Sequence, residues 1–425
     1  MTYKPTELLV YLVSAILLSG CGTLARERAV PPQLHGQEQI GNMPGVRYEA
    51  LSEAGIQKIL GDIKEKTEAT KAKTNPDEVA NYLSISGGGD NGAFGAGLLT
   101  GWTEHGDRPK FDLVTGVSTG ALIAPFAYLG PEYDSVLRAV YTQTQPSDIF
   151  LEKGIMGALF GEALGDTSPL YGLITKYVDA NLLQKIADEY GSTNRWLLVA
   201  TTNLDTGTPV IWNMGKLAQV GTPDALVLFR KILLASAAIP GVFPPVMIDV
   251  VADGKKYQEM HVDGGATMSV FLYPSALGVS ARKQKVVASA KKRNAYIIRN
   301  SRIDADWREI ERDTISIMGR ALAQLIQSQG YGDLYRIYQI TQRDQVEFNL
   351  AYIGSDFNHP HEREFDRPYM NALFQYGFRL GKTGYPWAHS PPGYKAPIDV
   401  ETRQQSQRNR EALESIGIGN SVLSR

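Results

Sequence analysis

The pentapeptide GVSTG at residues 116–120 sets a serine between two glycines, and its surroundings constrain the fold of this chain more than any other feature. An apolar run at residues 111–115 precedes it, and residues 121–128 have the small, apolar composition of a buried helix. A strand, a sharp turn and a helix in this order hold such a serine above the edge of a sheet. The sequence therefore predicts a layered α/β fold with Ser118 at a strand-to-helix turn.

Other periodic segments support the same architecture. Further strands are predicted at residues 82–86, 196–200, 295–298 and 346–352, with helices at residues 226–238 and 310–328. An amphipathic helix is expected at residues 48–63. The predicted organisation is a signal segment (1–20), a tether (21–47), a helix with a charged linker (48–80), one large domain (81–390) and a polar tail (391–425).

The start of the chain is predicted to carry an export signal. Residues 8–18 form an apolar run that is too short to span a bilayer, which needs about twenty residues, but that fits the core of a secretory signal. Residues 18–20 (LSG) before Cys21 resemble the lipobox of bacterial lipoproteins, and Cys21 is the only cysteine. The resemblance implies cleavage before Cys21 and stable anchoring by more than one acyl chain. Gly22 replaces the Asp that usually causes inner-membrane retention, so the expected location is the outer membrane, facing the periplasm.

Composition excludes one class of partner. The net charge is −2 and the isoelectric point is near 6.3, whereas a nucleic-acid-binding surface needs an excess of clustered Lys and Arg. Apolar residues make up 43% of the 425 residues, which is enough for a sizeable core. No stretch beyond residue 18 reaches transmembrane length. We therefore expect a soluble body, held at a membrane by its amino terminus, that does not bind nucleic acid.

The glycines of the serine turn have a physical purpose. A sharp strand-to-helix turn needs unusual dihedrals and brings neighbouring backbone close, and Gly116 and Gly120 allow both. Ser118 would then project from a helix N-terminus, where main-chain N–H groups can receive an oxyanion. The pattern indicates a nucleophilic serine, although a simple turn has the same composition.

A second glycine-rich loop, GGGDNG at residues 87–92, also lies between a predicted strand and a helix. Its spacing fits a dinucleotide fingerprint with Asp112 about twenty residues further on as the ribose-binding acid. However, Asp112 opens the next predicted strand, whereas that acid should end it, and the loop lacks the ending of a P-loop. The alternative is an oxyanion hole built from main-chain N–H groups. We prefer it because it explains why the loop and the serine turn occur together.

The third signal is Asp263 followed by Gly264 and Gly265, after a strand-like stretch at residues 260–262. A carboxylate at a strand end beside glycines can approach another residue's hydroxyl group, although Asp-Gly is also a common turn. His261 would share a strand face with Asp263, and we expect it to pack in the core.

In this order, the three glycine-containing motifs resemble those of the patatin-like phospholipases. Residues 166–170 (DTSPL), 201–207 (TTNLDTG) and 235–240 (ASAAIP) are similar to segments of that family as well. The resemblance covers residues 82–269 well. It implies a mainly parallel sheet with helices on both faces, in a single catalytic domain.

The resemblance also implies the chemistry. Ser118 would attack an ester carbonyl of a membrane lipid, Asp263 would take its proton, and water would hydrolyse the acyl-enzyme without a histidine, a metal or a cofactor. A free aspartate has a pKa near 3.9, so the site must be poor in water to raise the pKa of Asp263. The implied oxyanion donors are the main-chain N–H groups of Gly87, Gly88, Gly89 and Thr119. The supporting motif glycines are Gly92, Gly116, Gly120, Gly264 and Gly265.

Three alternatives remain at the level of sequence. Asn91 stands where many family members carry Arg or Lys, and an envelope lipoprotein with this fold could serve as a binding or scaffold module instead of an enzyme. An α/β-hydrolase would need a histidine after its acid, and His359, His361 and His389 are the candidates. All three are interpreted as surface residues. A nucleotide-binding enzyme is the third alternative.

Overall fold

The computed structural model describes residues 26–70, 79–152, 162–277, 292–304, 307 and 309–394. The predicted signal segment, Cys21 and most of the predicted tail therefore lie outside the described residues. The described residues up to His389 belong to one compact unit, and residues 390–394 belong to a second. Within the described ranges, the helices are too short or too polar to cross a membrane.

Strands and helices alternate along the first unit. The strands are β1 (Arg47–Glu49), β2 (Ala80–Ile85), β3 (Leu113–Gly116), β4 (Leu151–Glu152), β5 (Gly165–Asp166), β6 (Trp196–Asn203), β7 (Thr208–Asn213), β8 (Val246–Ala252), β9 (Lys255–Asp263), β10 (Arg293–Arg302) and β11 (Glu347–Ile353). The helices are α1 (Glu53–Thr70), α2 (Gly92–His105), α3 (Thr119–Leu129), α4 (Asp134–Gln143), α5 (Ser168–Tyr177), α6 (Ala180–Ser192), α7 (Met214–Gln219), α8 (Pro223–Ser236), α9 (Thr314–Asp344) and α10 (Arg367–Lys382).

Nine of the described strands form one sheet. Its order is β1-β7-β6-β3-β2-β10-β11, and β9 pairs with both β6 and β8. Five neighbouring strands run parallel to one another: β6, β3, β2, β10 and β11. The other four join the sheet through antiparallel pairs: β1, β7, β8 and β9. The predicted α/β fold with a mainly parallel central sheet is confirmed.

The apolar runs locate the central strands because strands buried on both faces are apolar along their length. Strand β6 extends past the predicted end at Ala200, through three polar residues that are almost fully buried. These residues remain in the strand because β7 and β9 pair with their backbone. Their side chains also find partners: Thr201 bonds to His261, and Thr202 bonds to Thr267. Tertiary pairing, which a local pattern does not contain, sets this boundary.

The amino-terminal region differs from its prediction. Tyr48 does not begin a helix but lies in β1, fully buried and paired with β7, and α1 starts only at Glu53. Residues 26–46 were expected to belong to a tether, yet Val30 and Ile40 are buried against the main core. The apolar residues of this short, polar segment are too widely spaced to show a period, so the sequence gives no sign that it packs.

Helices α2 and α10 pack at unusually short range. Helix α2 is buried from Gly92 to Trp102, and a Cβ atom at Gly97 would lie 2.1 Å from the carbonyl oxygen of Phe374 on α10. Three further glycines make equally close backbone contacts between the two helices: Gly101, Gly377 and Gly381. Each helix thus presents two glycines four residues apart, which lie on one face. The absence of side chains there lets α10 cover α2 and complete the layer above the sheet.

We expect the substitution Gly97→Ala to lower the free energy of unfolding by about 3 kcal/mol, because the added methyl group forces the two helix backbones apart. Gly332→Ala is the matched control, since Gly332 is exposed on α9 with no atom within 4 Å of its Cβ position. This control should gain about 0.5–1 kcal/mol from helix propensity. Urea denaturation followed by circular dichroism measures both, and equal stability of the two variants would contradict the packing argument.

Candidate active site

The register of β6 brings the serine turn and the aspartate together. Strand β3 ends at Gly116, which pairs with Val199 of β6. Two residues further along β6, Thr201 pairs with Asp263, the last residue of β9. Strand β7 pairs with one edge of β6. The other edge of β6 pairs first with β3 and then with β9. Ser118 therefore leaves the end of β3 directly beside Asp263.

Ser118 has the strained backbone of a nucleophile elbow. Its φ is 55° and its ψ is −127°, a positive-φ conformation that is rare for a residue with a side chain. A Cβ atom on Gly116 would lie 2.4 Å from the carbonyl oxygen of Gly120, and one on Gly120 would lie 2.2 Å from that of Ile85. The two flanking glycines are thus required by close backbone contacts, as the sequence predicted, and the turn leads directly into α3.

The end of α8 and the residues that follow it fix the backbone of both Ser118 and Asp263. The N–H group of Ser118 donates to the hydroxyl oxygen of Ser236 at 3.0 Å, and that hydroxyl group donates to the carbonyl oxygen of Ala200 at 2.7 Å. The N–H group of Asp263 donates to the carbonyl oxygen of Ala238 at 2.8 Å. Residues 235–240 (ASAAIP) therefore act as a common support for the elbow and the acid.

Asp263 is a buried acid that faces Ser118. The N–H group of Gly265 donates to Oδ1 of its carboxylate at 2.6 Å, and the Ser118 side chain is close enough to lower its pKa. Burial raises the pKa of Asp263 to about 7, and the interactions with Ser118 and Gly265 offset this rise only in part. The site thus holds an acid that changes protonation state near neutral pH, as the dyad hypothesis requires.

Main-chain N–H groups around Ser118 divide into used and unused donors. The N–H group of Gly87 donates to the carbonyl oxygen of Ser269 at 3.0 Å, so this predicted oxyanion donor is already engaged. Within the described part of the chain, the N–H groups of Gly88, Gly89 and Thr119 have no hydrogen-bond acceptor. Thr119 is the first residue of α3, where the helix dipole favours negative charge. Three of the four predicted donors thus remain available.

Asn300, at the end of β10, fixes the glycine-rich loop from the other side. A Cβ atom on Gly88 would lie 2.1 Å from the Asn300 carbonyl oxygen, which explains the glycine at that position. The Asn300 side chain donates to the carbonyl oxygen of Ser86 at 2.9 Å and accepts from the N–H group of Gly95 at 3.0 Å. The sequence does not predict a role for Asn300 because a single polar residue near the end of a strand carries no recognisable pattern.

The histidines required by a Ser-Asp-His triad lie elsewhere. His359 contacts the Pro360 carbonyl group and His389 contacts that of Phe348, while His361 bonds to Asp90. In the described residues, the side chain that acts on the pKa of Asp263 is that of Ser118. His261 is fully buried in the core, as predicted.

The nucleotide alternative is not supported by the position of Asp112. Its carboxylate accepts a hydrogen bond from the N–H group of Asn81 at 2.7 Å, near the start of β2. The glycine-rich loop follows the opposite end of that strand. A ribose-binding acid would need to lie on the loop side of the sheet.

Comparison with known proteins gives one family. Residues 83–274 match the model of the patatin-like phospholipases. The segment that carries this site is similar to that family. Among solved structures, the crystal structure of VipD from Legionella pneumophila aligns with 86% of this chain and 72% of its own, at 10% identity and a TM-score of 0.34. A comparison with curated proteins finds no match. The three motifs all lie inside the segment that resembles the patatin-like phospholipases.

Asp263→Asn tests the raised pKa through stability. A carboxyl group whose pKa is higher in the folded than in the unfolded protein stabilises the folded state. This stabilisation is complete below the unfolded-state pKa of about 3.9, and it is lost as the pH rises through the folded-state pKa of about 7. Because asparagine does not ionise, Asp263→Asn should raise the free energy of unfolding at pH 8 by an amount on the order of 2 kcal/mol. The gain at pH 4 should be smaller.

Asp249→Asn, on the exposed side of β8, is the control and should change the free energy of unfolding by less than about 0.5 kcal/mol, as is usual for a surface substitution. Urea denaturation at both pH values measures the effect. An Asp263→Asn protein that is less stable than wild type at pH 8 would contradict the raised pKa.

Proposed function

We propose that this protein is a lipid acyl hydrolase in which Ser118 is the nucleophile and Asp263 is the general base. The observation that carries the proposal is the meeting, beside β6, of the strained turn at Ser118 with the buried carboxylate of Asp263, whose pKa burial raises to about 7. Such a carboxylate is a much better base at neutral pH than an ordinary aspartate. The match of residues 83–274 to the patatin-like phospholipases supports a lipid ester as the substrate.

The first half of the proposed reaction forms an acyl-enzyme. The Ser118 oxygen attacks the ester carbonyl carbon while its proton passes to Asp263, and the carbonyl electrons move onto the oxygen. The N–H groups of Gly88, Gly89 and Thr119 donate to this oxyanion. When the carbonyl re-forms, the ester C–O bond breaks and the departing alkoxide takes the proton from Asp263.

The second half repeats these steps with water. Asp263 accepts a proton from the attacking water, the same donors hold the second oxyanion, and Ser118 leaves with the proton returned from Asp263. The products are a free fatty acid and a deacylated lipid, and the enzyme returns to its starting state. The proposed physiological substrates are glycerophospholipids.

The buried acid argues against a purely structural role for the site. Burying a carboxylate without a cation costs free energy, and a binding module gains nothing from that cost. In contrast, an enzyme needs the resulting pKa for proton transfer near pH 7. The strained backbone of Ser118 favours the same conclusion, because such strain concentrates at functional sites.

The test is hydrolysis of a chromogenic fatty-acyl ester by protein that starts after Cys21. We expect Ser118→Ala and Asp263→Ala each to lower kcat on the order of 10⁴-fold, with wild-type circular dichroism spectra. Ser147→Ala, at an exposed serine, is the control and should keep wild-type activity. A fluorophosphonate should label wild type but not Ser118→Ala. Hydrolysis that survives in Asp263→Ala would disprove the dyad, and an inactive, unlabelled wild type would favour a scaffold function.

We further propose that Cys21 is lipidated and holds the enzyme at the outer membrane of a bacterial envelope, facing the periplasm. The support is the lipobox-like sequence that ends at this cysteine. Anchoring would keep the active site beside its lipid substrate and raise the effective substrate concentration.

Cells that express the full chain with an alkyne analogue of palmitate test this location. Wild type and the conservative variant Ser19→Ala should incorporate the label and fractionate with outer membranes, whereas Cys21→Ser should remain unlabelled. Unlabelled wild-type protein in the soluble fraction would refute the proposed anchor.

A further inference from the structure

Asp90 of the glycine-rich loop is bound by a segment far away in the sequence. Its side chain is 2% exposed, and Oδ2 lies 2.7 Å from Nε2 of His361. The same oxygen accepts a hydrogen bond from the main-chain N–H group of Phe365 at 2.9 Å. Two donors thus bond to one carboxylate oxygen of Asp90. This residue directly follows Gly88 and Gly89, whose main-chain N–H groups are available.

The neighbouring loop residue is held by the same segment. The hydroxyl group of Tyr369, in the first turn of α10, donates to Oδ1 of Asn91 at 2.6 Å. The Tyr369 ring also stacks on the His361 ring, with centroids 4.2 Å apart and planes 27° apart. His361, Phe365 and Tyr369 therefore form one set, called here the anchoring residues, which binds both polar side chains of the loop.

The backbone of Phe365 indicates that this arrangement is enforced. Its φ is 58°, which is unusual for a bulky residue and persists only where the surroundings demand it. This conformation accompanies the hydrogen bond from its N–H group to Asp90, and its ring packs against Phe150 at 6.2 Å between centroids. The unusual φ of Phe365 therefore indicates that its hydrogen bond to Asp90 is needed to hold the glycine-rich loop in place.

The loop needs such support because it contains consecutive glycines. Gly88 and Gly89 have φ values of 157° and 57°, and glycine loses more conformational freedom on ordering than any other residue. Oxyanion stabilisation depends on donors that are oriented before the reaction starts. A side-chain contact on the next residue, Asp90, reduces the freedom of the loop without occupying its N–H groups.

We propose that His361 is a positioning residue, which acts through Asp90 to hold the N–H groups of Gly88 and Gly89 in the geometry that receives the oxyanion. This inference rests on the proposed hydrolase function. His361 itself does not touch the reacting atoms in this proposal. It acts from outside the segment that matches the family model, residues 83–274.

A competing explanation is a metal site. One ligand atom each from Asp90, His361 and Glu364 lie within 4.8 Å of one another, a donor set that suits a divalent cation such as Zn²⁺. The hydrogen bonds to Asp90 Oδ2 already account for its burial, so we favour positioning. The metal becomes an outcome of the experiment.

The experiment compares His361→Ala, His361→Gln and wild type in ester hydrolysis, with His359→Ala as the matched control. His359 is exposed in the same segment, its hydrogen bond goes to the carbonyl group of Pro360, and its ring contacts Phe357 and Tyr369. This control therefore removes a histidine ring from the segment without removing the bond to Asp90. We expect His361→Ala to lower kcat by about 10- to 100-fold with little change in KM, because the lost interaction acts in the transition state. A boronic acid that forms a tetrahedral adduct with Ser118 should bind more weakly by a similar factor. His361→Gln, which keeps an N–H donor, should recover part of both.

Hydrogen–deuterium exchange of the peptide that contains residues 88–92 gives a readout that does not require activity. Exchange should be several-fold faster in His361→Ala than in wild type and unchanged in His359→Ala. If wild type hydrolyses no ester, the proposed function fails while exchange still tests the anchoring. If wild type is active but His361→Ala keeps its kcat, inhibitor affinity and exchange rate, the positioning role is wrong. Loss of wild-type activity on chelation, restored by Zn²⁺, would replace positioning with a metal site.

Discussion

The site depends on a buried carboxylate that has no compensating cation among the described residues. Two acids of β9 show the difference. Glu259 is bonded to Arg47 and His261, and these partners lower its pKa to about 2 in spite of burial. Asp263, four residues further on, interacts with Ser118 and with the N–H group of Gly265 but with no cation in the described part of the chain, and burial raises its pKa to about 7. The same strand thus carries one acid that stays charged and one that can accept and return a proton.

The amino-terminal region contributes to this arrangement because it supplies Arg47. A chain of hydrogen bonds continues from Glu259 into the sheet. Glu259 is charged, so the hydrogen of the neutral His261 ring lies on Nε2, 3.0 Å from the Glu259 carboxylate. Nδ1 of His261 then accepts the hydroxyl hydrogen of Thr201 at 2.8 Å, and Oγ1 of Thr201 accepts the indole N–H group of Trp212, also at 2.8 Å. This network has one consistent direction, and burial lowers the pKa of His261, which keeps the ring neutral. It fixes the strand that ends at Asp263.

How far the sequence predicts this molecule depends on whether the determining contacts are local. The elbow at Ser118 and the buried strands follow from glycine spacing and apolar runs, because both are properties of neighbouring residues. The direct pairing of Ser118 with Asp263 required the family resemblance, since their contact depends on how β6 changes partners from β3 to β9. The support from Asn300 and the anchoring of Asp90 by His361 join residues more than 200 positions apart. No local pattern predicts such contacts, and the three histidines after Asp263 looked alike in the sequence.

The structure also explains how the proposed mechanism can proceed with Asn91 where many patatin-like phospholipases have a cation. Oδ1 of Asn91 accepts the hydroxyl group of Tyr369, so its side chain serves the loop contact with α10. Under the proposed mechanism, the negative charge of the oxyanion then depends on the N–H groups of Gly88, Gly89 and Thr119, and on the N-terminus of α3. Main-chain donors act through orientation, whereas a long cationic side chain can adjust its own position. A site that relies on backbone donors alone therefore places a stricter demand on loop geometry, and the contacts of Asp90 and Asn91 with α10 and the segment before it meet that demand.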